Sequence, residues 1–255
     1  MVIESLLSLK SFYKNPLVPF FYSAMISIIS VYVSYLVFKS YEGFFVTFFI
    51  SISLIPFFRK IVYLNLKRTI YAKNFFERYY DVIYFYLIVL FGIVFGLSVL
   101  YVFLPSEVSK QIFYYQIKAI ERIRGNFVVG DTFLKIFINN FSVLTLSFIL
   151  SIIFGFGAIL IISWNATVLA AAIGMLTKNF GLTFYPQAFL IFLPHGTLEF
   201  IAYFLAGLAG ATLSSASVKF KHSLAFNFFL DSLKIYLVSI FILFIAAIVE
   251  VLLML

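Results

Sequence analysis

The chain contains no cysteine. That absence excludes disulfide bonds, thiolate nucleophiles and cysteine-ligated metals. Charge is scarce too. Asp, Glu, Lys and Arg make up 11% of 255 residues, where soluble domains carry about 25%. So few charges cannot cover the surface of a water-soluble domain of this length. The common signature loops are also missing. There is no phosphate-binding G-x-x-x-x-G-K-[ST] loop, no glycine-rich dinucleotide turn after a strand, no G-x-S-x-G and no H-E-x-x-H. Nucleotide hydrolysis, dinucleotide binding, serine hydrolysis and zincin chemistry therefore have no motif to rest on.

What is present is apolar. Hydrophobic residues make up 64% and aromatics 21%, and the mean hydropathy is +1.12. The natural unit for such a chain is a run of about 20 apolar residues, one bilayer crossing. The net charge is +8, but the bases sit in short segments between apolar runs. Anionic lipid headgroups are the expected partners of those bases, and nucleic acid is not. The first apolar run, from Leu17, is longer than the core of a secretion signal, and no small-residue cleavage site follows it. It reads as a retained first span.

The charges punctuate the spans. Lys10 and Lys14 precede an uncharged run to Phe38, and Lys39 and Glu42 mark a turn. Gly43 to Phe58 is a short second span, roughly 24 Å long. Arg59 to Asp81 interleaves Arg59, Lys60, Lys67, Arg68, Lys73 and Arg78 with apolar residues. It reads either as a basic amphipathic helix on anionic headgroups, over 59–80, or as a solvated connector. A third span runs from Val82 to about Phe103, with Gly92 and Gly96 at the G-x-x-x-G spacing that lets helices approach closely. Leu104 to Lys135 is the longest hydrophilic stretch and reads as an amphipathic connector. Span four is expected over Phe141 to Trp164. The short runs Ala166 to Thr177 and Pro186 to Leu193 then read as half-helices or re-entrant segments. A longer helix follows to about Ser217, and a last span starts at Asp231 or Ser232.

Lys and Arg counts set the expected orientation. With the N-terminus in the cytoplasm, eleven bases fall inside and six outside, leaving Lys178 unassigned. The C-terminus then lies outside.

Pro194-His195-Gly196-Thr197-Leu198-Glu199 is the sharpest local feature. Proline removes a backbone donor and glycine loosens a helix, so Pro194 and Gly196 are expected to start or break one. His195 and Glu199 are four apart and share a helix face with Ala206 and Gly210. Small residues on that face favour burial against another helix. Ionisable groups in a span mark a functional site by default. Here they either fix helix register through hydrogen bonds or line a path for an ion, proton or solute. Catalytic zinc takes three protein ligands, and one His and one Glu supply two. Asn139 and Asn140 open span four and Asn165 closes it, either as caps or as partners of His195 or Glu199. Glu250 lies within the last span, paired with a base or near the interface.

A series of elements carries a resemblance. Ile136-Phe-Ile-Asn139-Asn140 is followed by Phe154-Gly155-Phe156-Gly157, Trp164-Asn165 and Gly174. Leu193 to Glu199 and Ala206-Gly207-Leu208-Ala209-Gly210 complete it. From near Phe133 onward the chain resembles the stage II sporulation protein M family. Ala166 departs from the glycine that often follows the asparagine there. The resemblance implies a polytopic membrane protein. In spore formers it implies a part of a septal membrane complex whose partner proteins cut peptidoglycan.

The expected fold is thus an all-α transmembrane bundle of about six spans, with broken or re-entrant helices around 166–199. Residues 1–103 form a three-span region, 104–135 an extracytoplasmic connector, and 136–255 the family-like membrane region. The expected function is that of a non-enzymatic scaffold or anchor in the cell membrane. It needs no catalytic residue, metal or cofactor. It would form a homo-oligomer through small-residue helix faces and join other membrane-complex proteins. The expected helix-packing residues, within the chain or between copies, are Gly92, Gly96, Gly155, Gly157, Ala206, Gly207 and Gly210. The alternative is an ion or small-solute transporter with a polar site at His195 and Glu199.

Overall fold

The computed structural model describes residues 15–69, 75–125, 132–219 and 222–254. Helices α1 (Leu17–Val37), α2 (Glu42–Thr69) and α3 (Phe75–Phe103) come first. Two short helices follow, α4 (Ser106–Ile112) and α5 (Tyr114–Gly125). Then come α6 (Thr132–Phe154), α7 (Ala158–Phe180), a single 3-10 turn at Leu182–Phe184, α8 (Tyr185–Lys219) and α9 (His222–Met254). Seven of these helices are long and apolar enough to cross a membrane. The protein is an all-α polytopic bundle, as its composition demands, since in lipid a helix satisfies its own backbone.

The count rises from about six spans to seven because of one turn. Gly155 takes a left-handed φ of +74°, and its amide closes α6 on the Ser151 carbonyl at 2.8 Å. Glycine adopts that conformation without steric cost. The Ser151 hydroxyl then accepts the Ala158 amide at 3.0 Å, which starts α7. The expected span Phe141–Trp164 is therefore two helices meeting at Gly155-Phe156-Gly157. The second one absorbs the short run 166–177 into a full crossing.

Pro194 does not break its helix. α8 continues through it for 35 residues, about 52 Å at the usual rise, so the expected fragment 186–193 is its first part. Neighbouring helices in a bundle hold a proline-containing turn in line. Pro56 sits inside α2 in the same way. The last helix likewise starts earlier than Asp231, at His222, and its membrane-spanning part at Phe228. The separate surface helix over 59–80 resolves into the end of α2 and the start of α3. Residues 70–74, and the basic side chains within 60–78, lie outside the described residues.

Close packing rests on small residues, since lipid gives helices no hydrophobic reason to associate. Gly92 lies against the Phe20 carbonyl and Ser23, and Gly96 against Ala24 and Ser27. Ser23, Ser27, Ser30 and Ser34 form a buried stripe on α1. Their first three hydroxyls bond carbonyls of their own helix, so the stripe presents a smooth surface to α3. Gly207 meets Ala158, and Gly210 meets the Phe148 carbonyl and Ser151. Ala206 is fully buried. These small-residue faces are occupied within one chain, so self-association would need a different face.

The connector after α3 is seated on the bundle. Gln116 of α5, fully buried, donates to the Gly43 carbonyl and the Thr167 hydroxyl, both at 3.1 Å. Gln111 of α4 donates to the buried Glu42 carboxylate at 2.8 Å. The outward face of α5 carries the exposed Lys118–Glu121 ion pair, 2.9 Å apart.

Candidate functional site

Polar side chains inside an apolar bundle are the natural place to look for function. Three helices bring such groups together. α8 presents Glu199, half-buried, on the same face as the fully buried Ala202 and Ala206. α6 presents Asn140, 9% exposed, whose Nδ2 donates a hydrogen bond to Glu199 Oε1. Asn139 donates in turn to Asn140 Oδ1 at 3.1 Å. α9 presents Glu250, whose carboxyl lies against that of Glu199. Tyr203, one turn beyond Glu199 and 2% exposed, lies close enough to feel both carboxyls and the Tyr86 hydroxyl of α3.

Two carboxyl groups in contact are chemically constrained. If both were ionised at about 4 Å, they would repel by roughly 4 kcal/mol at an effective dielectric near 20. An ionised carboxylate is also an acceptor only, so a hydrogen bond between the two needs a proton. Asn140 supports the pair by donating to Glu199.

The other residues singled out by the sequence fall elsewhere. His195 is half-buried, its ring 6.1 Å from that of Phe192, and its Nδ1 is buried without a partner. It does not join Glu199 through a hydrogen bond. Asn165 donates to the Ile161 carbonyl of its own helix at 2.8 Å and stands apart from the cluster. Pro194 is exposed on α8. Gly196 opens onto free space and lines a small apolar cavity with Leu90, Val94, Ile173, Thr197 and Phe200. A second apolar cavity lies beside Tyr86, Phe58 and Phe204. Among the described residues, no three His, Asp or Glu side chains converge as a metal-binding set.

Two further polar junctions carry no sequence motif. The Lys178 ammonium donates to the Leu104 carbonyl at 2.7 Å and to the Ser109 hydroxyl at 2.9 Å. It also lies 5.2 Å from the centre of the Tyr101 ring. A cation there complements the carbonyl end of α3. The second junction is that of Glu42 and Gln116 beneath α4 and α5. The only hint of either in the sequence is that a polar residue sits beside an apolar run.

Residues 82–253 match the model of stage II sporulation protein M. The match begins inside α3, well before Phe133. No curated protein and no solved structure matches the chain.

Proposed function

The chain belongs to the stage II sporulation protein M family, and on that premise we propose that it is a non-enzymatic organiser or anchor of a membrane complex. The observation that carries this reading is the use of its interior polar groups. Asn140 serves Glu199 and Lys178 serves α3, while Gln116 joins α5 to α2 and α7. Each ties one helix of the chain to another. The two cavities described above are small and lined by apolar side chains, whereas a solute path is wet and lined by polar groups.

The proposed orientation follows from seven crossings, an odd number, in the cell membrane. With the N-terminus cytoplasmic, the C-terminus is extracytoplasmic and Lys178 joins the outer set. Eleven bases then lie inside and seven outside, out of 18, the asymmetry expected of cytoplasmic loops. The basic residues within 59–80 face anionic headgroups from the inside. The partners are membrane-complex proteins or further copies of this chain.

One observation favours a second reading, a path for protons or small cations: the Glu199–Glu250 contact within the membrane. Flux measurement separates the two. Full-length protein in proteoliposomes is expected to pass protons, sodium and potassium no faster than protein-free vesicles. A flux above that level, lost on Glu199→Gln with the bundle still folded, contradicts the organiser reading.

A further inference from the structure

Glu199 of α8 and Glu250 of α9 meet carboxyl to carboxyl, while Asn140 of α6 donates to Glu199. Among the described residues, no Lys or Arg acts on either carboxyl. The groups that face the pair are Asn139 and Asn140 from α6, Tyr203 from α8 and, behind it, Tyr86 from α3. His195 sits one turn before Glu199 with its Nδ1 unpartnered. Tyr86 is buried behind Tyr203, its ring stacked on that of Phe204 with centres 4.2 Å apart.

We propose that Glu199 and Glu250 form a proton-binding site inside the membrane, with one proton shared between the two carboxyls and Tyr203 beside them. The hydrogen-bond inventory supports this. A carboxylate cannot donate, so a contact between two acids contains one O–H. Losing the proton breaks that O–H bond, passes the proton to water and leaves two facing carboxylates. Their repulsion pushes α8 and α9 apart, while Asn140 goes on donating to the Glu199 carboxylate. The proton therefore acts as the ligand that closes the junction of α8 and α9. This site is separate from the organising role, and its failure in the test below would leave that role standing.

The test is infrared difference spectroscopy on full-length protein in lipid nanodiscs. At neutral pH the wild type should show the carbonyl stretch of one protonated carboxyl per chain, shifted by deuterium exchange. Raising the pH should remove it in a single one-proton step. Glu199→Gln and Glu250→Gln should each shift the band and replace its titration step by that of a single isolated carboxyl, because each removes the shared site. Two results overturn the proposal: no protonated carboxyl in the wild type at neutral pH, or a band whose position and titration neither substitution alters. The wild-type titration does not depend on either variant folding. A second measurement follows the junction itself. Because the native chain has no cysteine, spin labels introduced on α8 and α9 report their separation alone. The distance should lengthen across the same pH step. An unchanged distance contradicts the closing role.

Discussion

Lys178, near the end of α7, places its ammonium 2.7 Å from the carbonyl oxygen of Leu104, just beyond the end of α3. The two residues are 74 apart in sequence. The lysine thus locks two spans together where the chain leaves α3 for α4. Replacing it with methionine keeps the stem and removes the charge. Lys178→Met is expected to lower stability by about 1–3 kcal/mol, the range for a lost charge-assisted hydrogen bond. Thermal unfolding in detergent measures it. A change within error would mean that solvent meets the Leu104 carbonyl equally well.

Gly43 and Gln116 form the second lock. A Cβ on Gly43 would lie 2.6 Å from Gln116 Oε1, so any side chain there must push the glutamine off its two acceptors. Gly43→Val is expected to cost about 1–3 kcal/mol through overpacking. It should also speed hydrogen exchange across 106–125, read by mass spectrometry. Gly43→Ala should show the same effect at lower amplitude. Faster exchange elsewhere with 106–125 unchanged would contradict this seating of α4 and α5.

Gly155 and Gly96 should respond to alanine for different reasons. Nothing lies within 4 Å of a Cβ on Gly155, yet its φ is +74°. Gly155→Ala therefore pays only for the left-handed backbone, about 1 kcal/mol. At Gly96 the φ is helical, but a Cβ would sit 2.7 Å from the Ala24 carbonyl oxygen. Gly96→Ala forces α1 away from α3, and Gly96→Leu forces it further. The expected order of stability loss at position 96 is leucine well above alanine. Equal losses would mean that α1 and α3 do not touch there.

The extent to which the sequence foretold this structure follows from physics. Membrane class and helicity are legible because each span must be apolar over its whole length, whatever it packs against. Gly92 and Gly96 are legible as a packing face because only glycine permits that approach, and the serine stripe that receives them reads in sequence as ordinary polar residues in an apolar run. The boundary at Gly155 was hidden because both flanking helices are apolar, so no charge marks the turn. Its signal is a pair of glycines, which a packing helix also uses. Pro194 misleads in the opposite sense, since proline ends helices in water but is held in line inside a bundle. In the cluster, the expected partner of Glu199 divides in two. Asn140 is one of the residues singled out in advance, at a spacing no pattern could specify. Glu250 comes from α9, 51 residues further on, and only the crossing of α8 and α9 brings it to Glu199. His195 shares the helical face of Glu199 and still makes no bond with it. Sharing a face on one helix says which side a residue lies on, and the partner comes from another helix.

Asn140, Glu199 and Glu250 join three helices in the membrane. A double-mutant cycle of Asn140→Ala and Glu199→Ala, followed by unfolding in lipid or detergent, tests that most directly. The account predicts a coupling of about 0.6–2 kcal/mol, the range for hydrogen bonds between membrane helices. Strictly additive losses would contradict it, for they would mean that Asn140 and Glu199 do not meet.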